Sequence, residues 1–388
     1  GGERDGMWYN GGKCWVERRK MEIEVQQDKM AKALNLVSRV AMGAKSTLPI
    51  LANVLIRADE GKVSLMATNL DMGIVEYVPV VSAKNGVITV PARIISEFVG
   101  NLPRGETVKM SLSGETLEIS AGRYRSKING AIADDFPEMP VVDEKDAVIY
   151  KVPVEQFKLG MSEVIFAASG DTTRPMLTGI CFSTNEGALY VAGTDGYRLA
   201  ERKFIEGVKS DVKAVVPRAT LQEVLRSFSD EMEEVEIVFT ETQVRFRMGE
   251  VEVVSKLIDG SYPDYRGLIP KNLEVEVVAE KVELARMVKM AMVFARETNG
   301  AVECRAVKED QKLIVSSLAN EAGENSSEMN VETDGDAEMK LMSKYMAEAI
   351  NAIEEGKVRI MMSEKKGQAM VMKNEKSDDY VHLLMPLS

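Results

Sequence analysis

The chain has 388 residues, 45% of them hydrophobic and 28% charged, with a formal net charge of −12. That length exceeds one ordinary domain and can bury a sizeable core, and the acidic balance argues against a generally adhesive nucleic-acid binder unless the basic residues gather on one surface. A lone histidine, His382, removes most imidazole chemistry, and the scattered Cys14, Cys181 and Cys304 fit neither a disulfide framework nor metal-ligand spacing.

Gly1 to Lys20 has no periodicity and carries Gly1-Gly2 and Gly11-Gly12, so it reads as a disordered extension ahead of a natural start at Met21. No cleavable signal pattern opens the chain and no apolar run is long enough to span a membrane, which points to the cytoplasm.

From Met21 the chain repeats itself. A strand feeding a helix is expected at Glu22–Val40, Val148–Ala168 and Leu273–Arg296, and two strands around a turn follow at Leu51–Thr68, Leu177–Thr194 and Ala301–Leu318. A further strand then runs into a second helix at Gly86–Arg93, Val212–Arg218 and Ala337–Lys344, with Pro91 and Pro217 in matching first-turn places 126 residues apart. Alternating strands close each copy, within Val108–Ile119, Val235–Val254 and Val358–Met372. A period this long means three related domains rather than a solenoid. The fold class is α+β: each domain carries two helices packed on antiparallel sheets. With connectors at Asp134–Asp146 and Asp259–Asn272, the domains are expected at 21–140, 147–266 and 272–388.

The helices share a character. In the first, Met30, Leu34, Val37 and Val40 form an apolar stripe, with Lys32, Asn35 and Arg39 on the other face. Its counterpart in the third repeat sets Arg286, Lys289 and Arg296 against Leu284, Met287, Val288 and Ala291. The second helices offer Arg93, then Arg218, Gln222 and Arg226 four apart, then Lys344 with Asn351. The six helical segments sum to +3, which leaves −15 for the remainder. Taken singly, such a face is a solvated one. Six of them sharing a surface would make it electropositive, able to meet phosphates without reading sequence.

One stretch near the midpoint invites a chemical reading. Leu189–Ala192 ends in Gly193-Thr194-Asp195-Gly196, and Tyr197, Arg198 and Leu199 follow. Asp195 and Arg198 could be an active-site pair, or Asp195-Gly196 could simply turn the chain. An enzyme using Asp195, Asp259 and Asp264 for acid–base or metal-assisted phosphoester chemistry is the chief rival. All three sit in Asp-Gly or Pro-Asp turn contexts, and the sequence has no phosphate loop or acidic cluster at metal-ligand spacing.

The triplication, together with Thr173-Arg-Pro-Met-Leu-Thr-Gly-Ile180, Thr194-Asp-Gly-Tyr-Arg-Leu-Ala200, Lys256-Leu-Ile-Asp-Gly-Ser-Tyr-Pro-Asp-Tyr-Arg266 and Met385-Pro386-Leu387, closely resembles the bacterial DNA polymerase III beta subunit family of sliding clamps. Thr47-Leu-Pro-Ile-Leu51 and Ala133-Asp-Asp-Phe-Pro137 fit as well, and the resemblance covers Met21 to Ser388. It implies a ring-shaped head-to-tail homodimer around double-stranded DNA, lined by helices and rimmed by sheets, with no catalytic site, metal or cofactor. ATP-driven opening would belong to a separate clamp loader complex. Implied partners are the polymerase III catalytic subunit, that loader, and repair polymerases, mismatch-repair proteins and ligase carrying clamp motifs. A non-nucleic-acid scaffold on the same fold is a second rival. By position and helical phase, the DNA-binding candidates are Lys32, Arg39, Lys45, Arg93, Arg174, Arg218, Arg226, Arg286, Lys289 and Lys344. Motif match carries over a partner-peptide groove walled by Leu177, Thr194, Gly196, Tyr197, Arg198, Leu199, Pro263, Leu268, Leu383, Met385 and Pro386. Gly267 and the Leu387-Ser388 end stand where the family often has basic residues, so motif preference departs from the pattern. Position matches suggest a dimer interface of Arg123, Arg125, Ile128, Val293 and Phe294; for Val293 and Phe294 a place in the chain's own core is an equal alternative.

Overall fold

The computed structural model describes residues 21–43, 48–139, 142–296, 299–319, 323–365 and 367–387; Gly1–Lys20 and Lys45 lie outside them. The chain divides into two compact units. The first holds the residues up to Val142 together with Arg245–Ser255, and the second holds Asp143–Val244 and Lys256–Ser388.

In the first unit the strand Glu22–Gln26 runs directly into α1 (Gln27–Met42). Met30, Leu34, Val37 and Ala41 recur at helical spacing and are buried, while Lys32 and Asn35 face solvent. Burying Met30, Leu34 or Val37 stabilises the fold by roughly 1.5–3 kcal/mol each relative to exposure. Helix α2 (Ala92–Gly100) buries Ala92, Ile95 and Val99 and packs on α1. Where they meet, the Gln27 amide donates to the Val99 carbonyl at 2.9 Å and the Ser38 hydroxyl to the Ala92 carbonyl at 3.3 Å, so buried polar side chains satisfy the neighbouring backbone. One antiparallel sheet runs Ser82–Lys84, Glu22–Gln26, Thr107–Ser113, Thr116–Ala121, Tyr124–Asn129. Strands Gly86–Pro91, Asn53–Asp59, Lys62–Thr68 and Met72–Val78 pair in that order, and Val251 to Ser255 adds antiparallel to the last, with Ser255 opposite Met72.

The second unit repeats the scheme with α3 (Val154–Val164), α4 (Arg218–Ser227), α5 (Lys281–Ala295) and α6 (Ser343–Ala352). Its largest sheet runs Lys213–Pro217, Gly179–Asn185, Ala188–Thr194, Arg198–Glu206, Ser377–Leu384, Met370–Asn374, Lys357–Met362, Val275–Glu280, Glu332–Thr333. The seam between the second and third repeats is the pairing of Arg198–Glu206 with Ser377–Leu384, in a register that sets Arg198 opposite Leu384 and Leu199 opposite Leu383. A smaller sheet, Gly323–Asn330, Lys312–Ala319, Ala301–Val307, Ala337–Met342, packs on α5, and α5 packs on α6.

The architecture is the α+β arrangement of paired helices on antiparallel sheets that the sequence pattern indicates. Two details differ from that reading. Pro91 and Pro217 precede the first helical residue, each with φ −55° and an extended ψ, because a proline ring suits both the end of a strand and the approach to a helix. A third strand also follows the hairpin in every repeat (Met72–Val78, Arg198–Glu206, Gly323–Asn330), where the sequence suggested two.

Candidate functional site

The Thr194–Arg198 turn builds itself from its own side chains. Gly196 takes φ +92°, a left-handed conformation that glycine adopts without steric cost. Asp195 Oδ1 accepts from the backbone N–H groups of Tyr197 at 2.9 Å and Arg198 at 3.1 Å. The Thr194 hydroxyl donates to the Arg198 carbonyl at 2.5 Å and accepts from the Gly196 N–H at 3.1 Å. The carboxylate is thus occupied as a turn former, which leaves the active-site reading of Asp195 and Arg198 without a free acid.

Arg198 does not reach outward; its side chain is 7% exposed. Its Nε donates to Asp195 Oδ2 at 3.1 Å, Nη2 donates to the Phe166 carbonyl at 2.7 Å, and Nη1 binds Glu348 on α6. The guanidinium also lies over the rings of Tyr345, 4.2 Å from its centroid, and Phe166, at 5.3 Å. Behind it, fully buried His382 stacks on Phe166 with centroids 5.6 Å apart and sets Nδ1 3.1 Å from the Tyr380 hydroxyl. Burial, with the Arg198 charge adding to it, pushes the His382 pKa down to about 3, so this imidazole is neutral.

Next in the strand, Leu199 belongs to an apolar cluster with Leu177, Tyr262, Tyr265, Val371 and Leu383, with Met176 and Ile258 packed against it. The tail is stitched beside it: the Met385 N–H donates to the Tyr197 carbonyl at 2.9 Å and the Leu387 N–H to the Lys340 carbonyl at 2.8 Å. Tyr197, Pro263, Leu268 and Met385 are exposed, Pro386 is half-buried, and Thr194, Leu199 and Leu383 are buried. The Arg174 guanidinium lies within 3.7 Å of where a Cβ on Gly196 would stand, so it borders this turn. The sequence reading did not pick out Met176, Ile258, Tyr262, Tyr265 or Val371. Tyr262 and Tyr265 flank Pro263 closely enough for that motif to have marked them. Val371 carries no sequence signal, because it reaches the cluster only through the Val371–Leu383 pairing.

Apart from Arg174 in its loop and Lys45 outside the described residues, the basic candidates sit on the helices. Lys32, Arg93, Arg226, Arg286, Lys289 and Lys344 are exposed, Arg39 and Arg218 half-buried. Some are already engaged: Arg93 pairs with Glu97 at 2.9 Å, Arg226 with Glu223 at 3.4 Å, and Arg39 Nη1 donates to Asn35 Oδ1 at 3.2 Å. Close to α1, burial raises the Glu76 carboxyl to about 7 against the opposing pull of Lys32 and Arg39. Of the interface candidates, Arg123 and Arg125 are exposed, Val293 is 63% exposed and Phe294 half-buried, whereas Ile128 is buried in its own unit opposite Leu117.

A domain of paired helices on antiparallel sheets, repeated along one chain and seamed strand to strand, defines a clamp-fold protein. Models of the DNA polymerase III beta subunit match in order: the N-terminal domain over 21–140, the central domain over 151–264 and the C-terminal domain over 266–388. The beta sliding clamp of Bacillus subtilis (strain 168) is 28% identical over 380 residues, covering 95% of this chain and 99% of that protein, and that of Staphylococcus aureus (strain Mu50) is 29% identical with the same coverage. Among solved structures, a DnaN sliding clamp from Pseudomonas aeruginosa bound to griselimycin superposes with a TM-score of 0.89 at 25% identity, covering 95% of this chain and 100% of that one. The Bacillus subtilis sliding clamp also gives 0.89, at 26% identity and the same coverage. The chain belongs to the DNA polymerase III beta subunit family, the bacterial sliding clamps that serve polymerase processivity.

Proposed function

We propose that two copies of the chain, each of three domains (21–140, 147–266 and 272–388), close head to tail into a ring around duplex DNA and tether replication and repair proteins to it. The observation that carries the docking part is the seam itself. The Arg198–Leu384 register brings the Tyr197 turn of one repeat beside the Met385 tail of the next, over a shared apolar cluster. A cleft walled by aliphatic, methionine and tyrosine side chains, with exposed backbone at its rim, suits a short linear motif offering one or two apolar anchors. Asp195 acts there as a turn former, and chemistry on DNA falls to the docked partner. The polymerase III catalytic subunit, the clamp loader and clamp-motif repair proteins are the partners this groove would take, in the cytoplasm.

Two further features support the ring. Tyr124–Asn129 and Gly323–Asn330 each end a sheet among the described strands. The first carries Arg125 and Lys127 and the second Glu324 and Glu328, so an edge-to-edge pairing between copies would join opposite charges. Exposed Lys and Arg on the helices can meet phosphates without reading bases, and weak contacts of that kind permit sliding. The test is retention on nicked circular DNA after treatment with clamp loader and ATP. The protein should stay on circles and run off when they are linearised; failure to stay on circles defeats the reading.

A further inference from the structure

The first repeat contains the Thr194–Arg198 turn a second time, 126 residues upstream. The Thr68 hydroxyl donates to the Met72 carbonyl at 2.9 Å and accepts from the Leu70 N–H at 3.1 Å. Asn69 Oδ1 accepts from the N–H groups of Asp71 at 3.1 Å and Met72 at 2.8 Å. These four bonds match those at Thr194 and Asp195 one for one, and Leu70, at φ +77°, stands where Gly196 stands. The Arg198 place is held by Met72. The turn therefore closes with no arginine in it, and the bend alone does not account for a buried guanidinium. Removing that charge from water costs several kcal/mol unless it is paired.

What distinguishes Arg198 is where its donors go. One stays in the turn at Asp195, one reaches the Phe166 carbonyl just past α3, and one crosses from the second repeat to Glu348 on α6 of the third. Tyr345, a turn of helix before Glu348, lies over the face of the same planar cation. The motif-docking walls come from these two repeats: Leu177, Leu199 and Tyr262 from one, Val371 and Leu383 from the other. We propose that Arg198 is a positioning residue that fixes α6 and its repeat against the Thr194–Arg198 turn, holding the two walls at the separation that admits an apolar motif, without touching the motif itself. The inference rests on the docking reading above and names what keeps that groove preformed. A preformed groove loses less conformational freedom on binding, so loosening it lowers affinity even when every wall residue is intact.

The test measures a fluorescently labelled clamp-binding segment of the polymerase III catalytic subunit, by anisotropy, against full-length wild type, Arg198→Met, Arg198→Lys, Glu348→Gln, the Arg198→Met/Glu348→Gln double variant and the rim variant Tyr197→Asp/Met385→Asp. Arg198→Met copies the side chain of the first repeat, and Glu348→Gln keeps a hydrogen-bond acceptor, so a folded protein is available even if one variant fails. Arg198→Met and Glu348→Gln should each weaken binding by about tenfold, and the double variant should be no weaker than Arg198→Met, the non-additivity of two residues acting through one contact. Arg198→Lys should recover part of the loss, and the sedimentation of the dimer should not change. Loss in Arg198→Met with none in Glu348→Gln would mean that the arginine meets the motif directly, which overturns the proposal. So would full affinity in both when the rim variant has lost it. If the rim variant also binds normally, the docking reading falls and this inference falls with it.

Discussion

At the scale of single residues, the charges that matter most are those the fold hides. His382 is neutral in the folded protein, its pKa pushed from 6.5 to about 3, while an unfolded chain takes up its proton near the ordinary value. The unfolded state then binds more protons below about pH 6.5, and the stability this site contributes declines as pH falls through that window. His382→Phe can keep the stack on Phe166 and cannot titrate. Its stability relative to wild type should therefore improve by about 2 kcal/mol between about pH 7.5 and about pH 5, read by urea denaturation at each pH. A flat difference would mean that the imidazole is not held neutral. Glu76 works in the opposite sense. Its carboxyl, raised to about 7, loses its charge beside Lys32 and Arg39 on mild acidification, which leaves that stretch of α1 more positive. Retention of the loaded protein on DNA should lengthen from about pH 8 to about pH 6, and Glu76→Gln should flatten that dependence; an unchanged slope in the variant would remove Glu76 from the account.

At the scale of elements, the helices and hairpins were readable because their burial follows a period: Met30, Leu34, Val37 and Ala41 need no distant partner to explain them. The strand Arg198–Glu206 was not readable. Its sequence, Arg-Leu-Ala-Glu-Arg-Lys-Phe-Ile-Glu, carries five charged residues before its sheet partners are known, and Arg198 and Glu201 are buried only because Phe166, Glu348 and Arg266, far along the chain, pair with them. The apolar cluster at the seam was legible where a motif marked it, at Leu177, Leu199 and Leu383, and illegible at Val371, which arrives by strand pairing. The two turns make a matched pair for testing backbone cost. Leu70 occupies a left-handed conformation that strains a side-chain-bearing residue, so Leu70→Gly should raise stability by up to about 1 kcal/mol. Gly196→Ala should lower it by about 1 kcal/mol. Denaturant midpoints that move the other way would contradict the strain argument.

At the scale of the whole molecule, the acidic total and the mildly basic helices describe one charge distribution. A protein at −12 that presents Lys32, Arg286, Lys289 and Lys344 from its helices can repel DNA at long range elsewhere while tolerating it along those faces. Ring closure is where this distribution would meet packing. Phe294 is half-buried near the end of α5, next to exposed Val293. Phe294→Asp should leave circular dichroism unchanged and convert the dimer to monomer in sedimentation at micromolar concentration; a variant that stays dimeric assigns Phe294 to its own domain's core.

The doubled turn has a practical consequence. Its hydroxyl and amide or carboxyl acceptors at Thr68 and Asn69, or Thr194 and Asp195, specify the bend, while the residues at 70–72 and 196–198 differ, leucine against glycine, aspartate against tyrosine and methionine against arginine. Shape and content are therefore separately encoded within five residues. Such a loop is a natural cassette: exchanging its last two positions, 71–72 for 197–198, between the repeats should leave the backbone path unchanged.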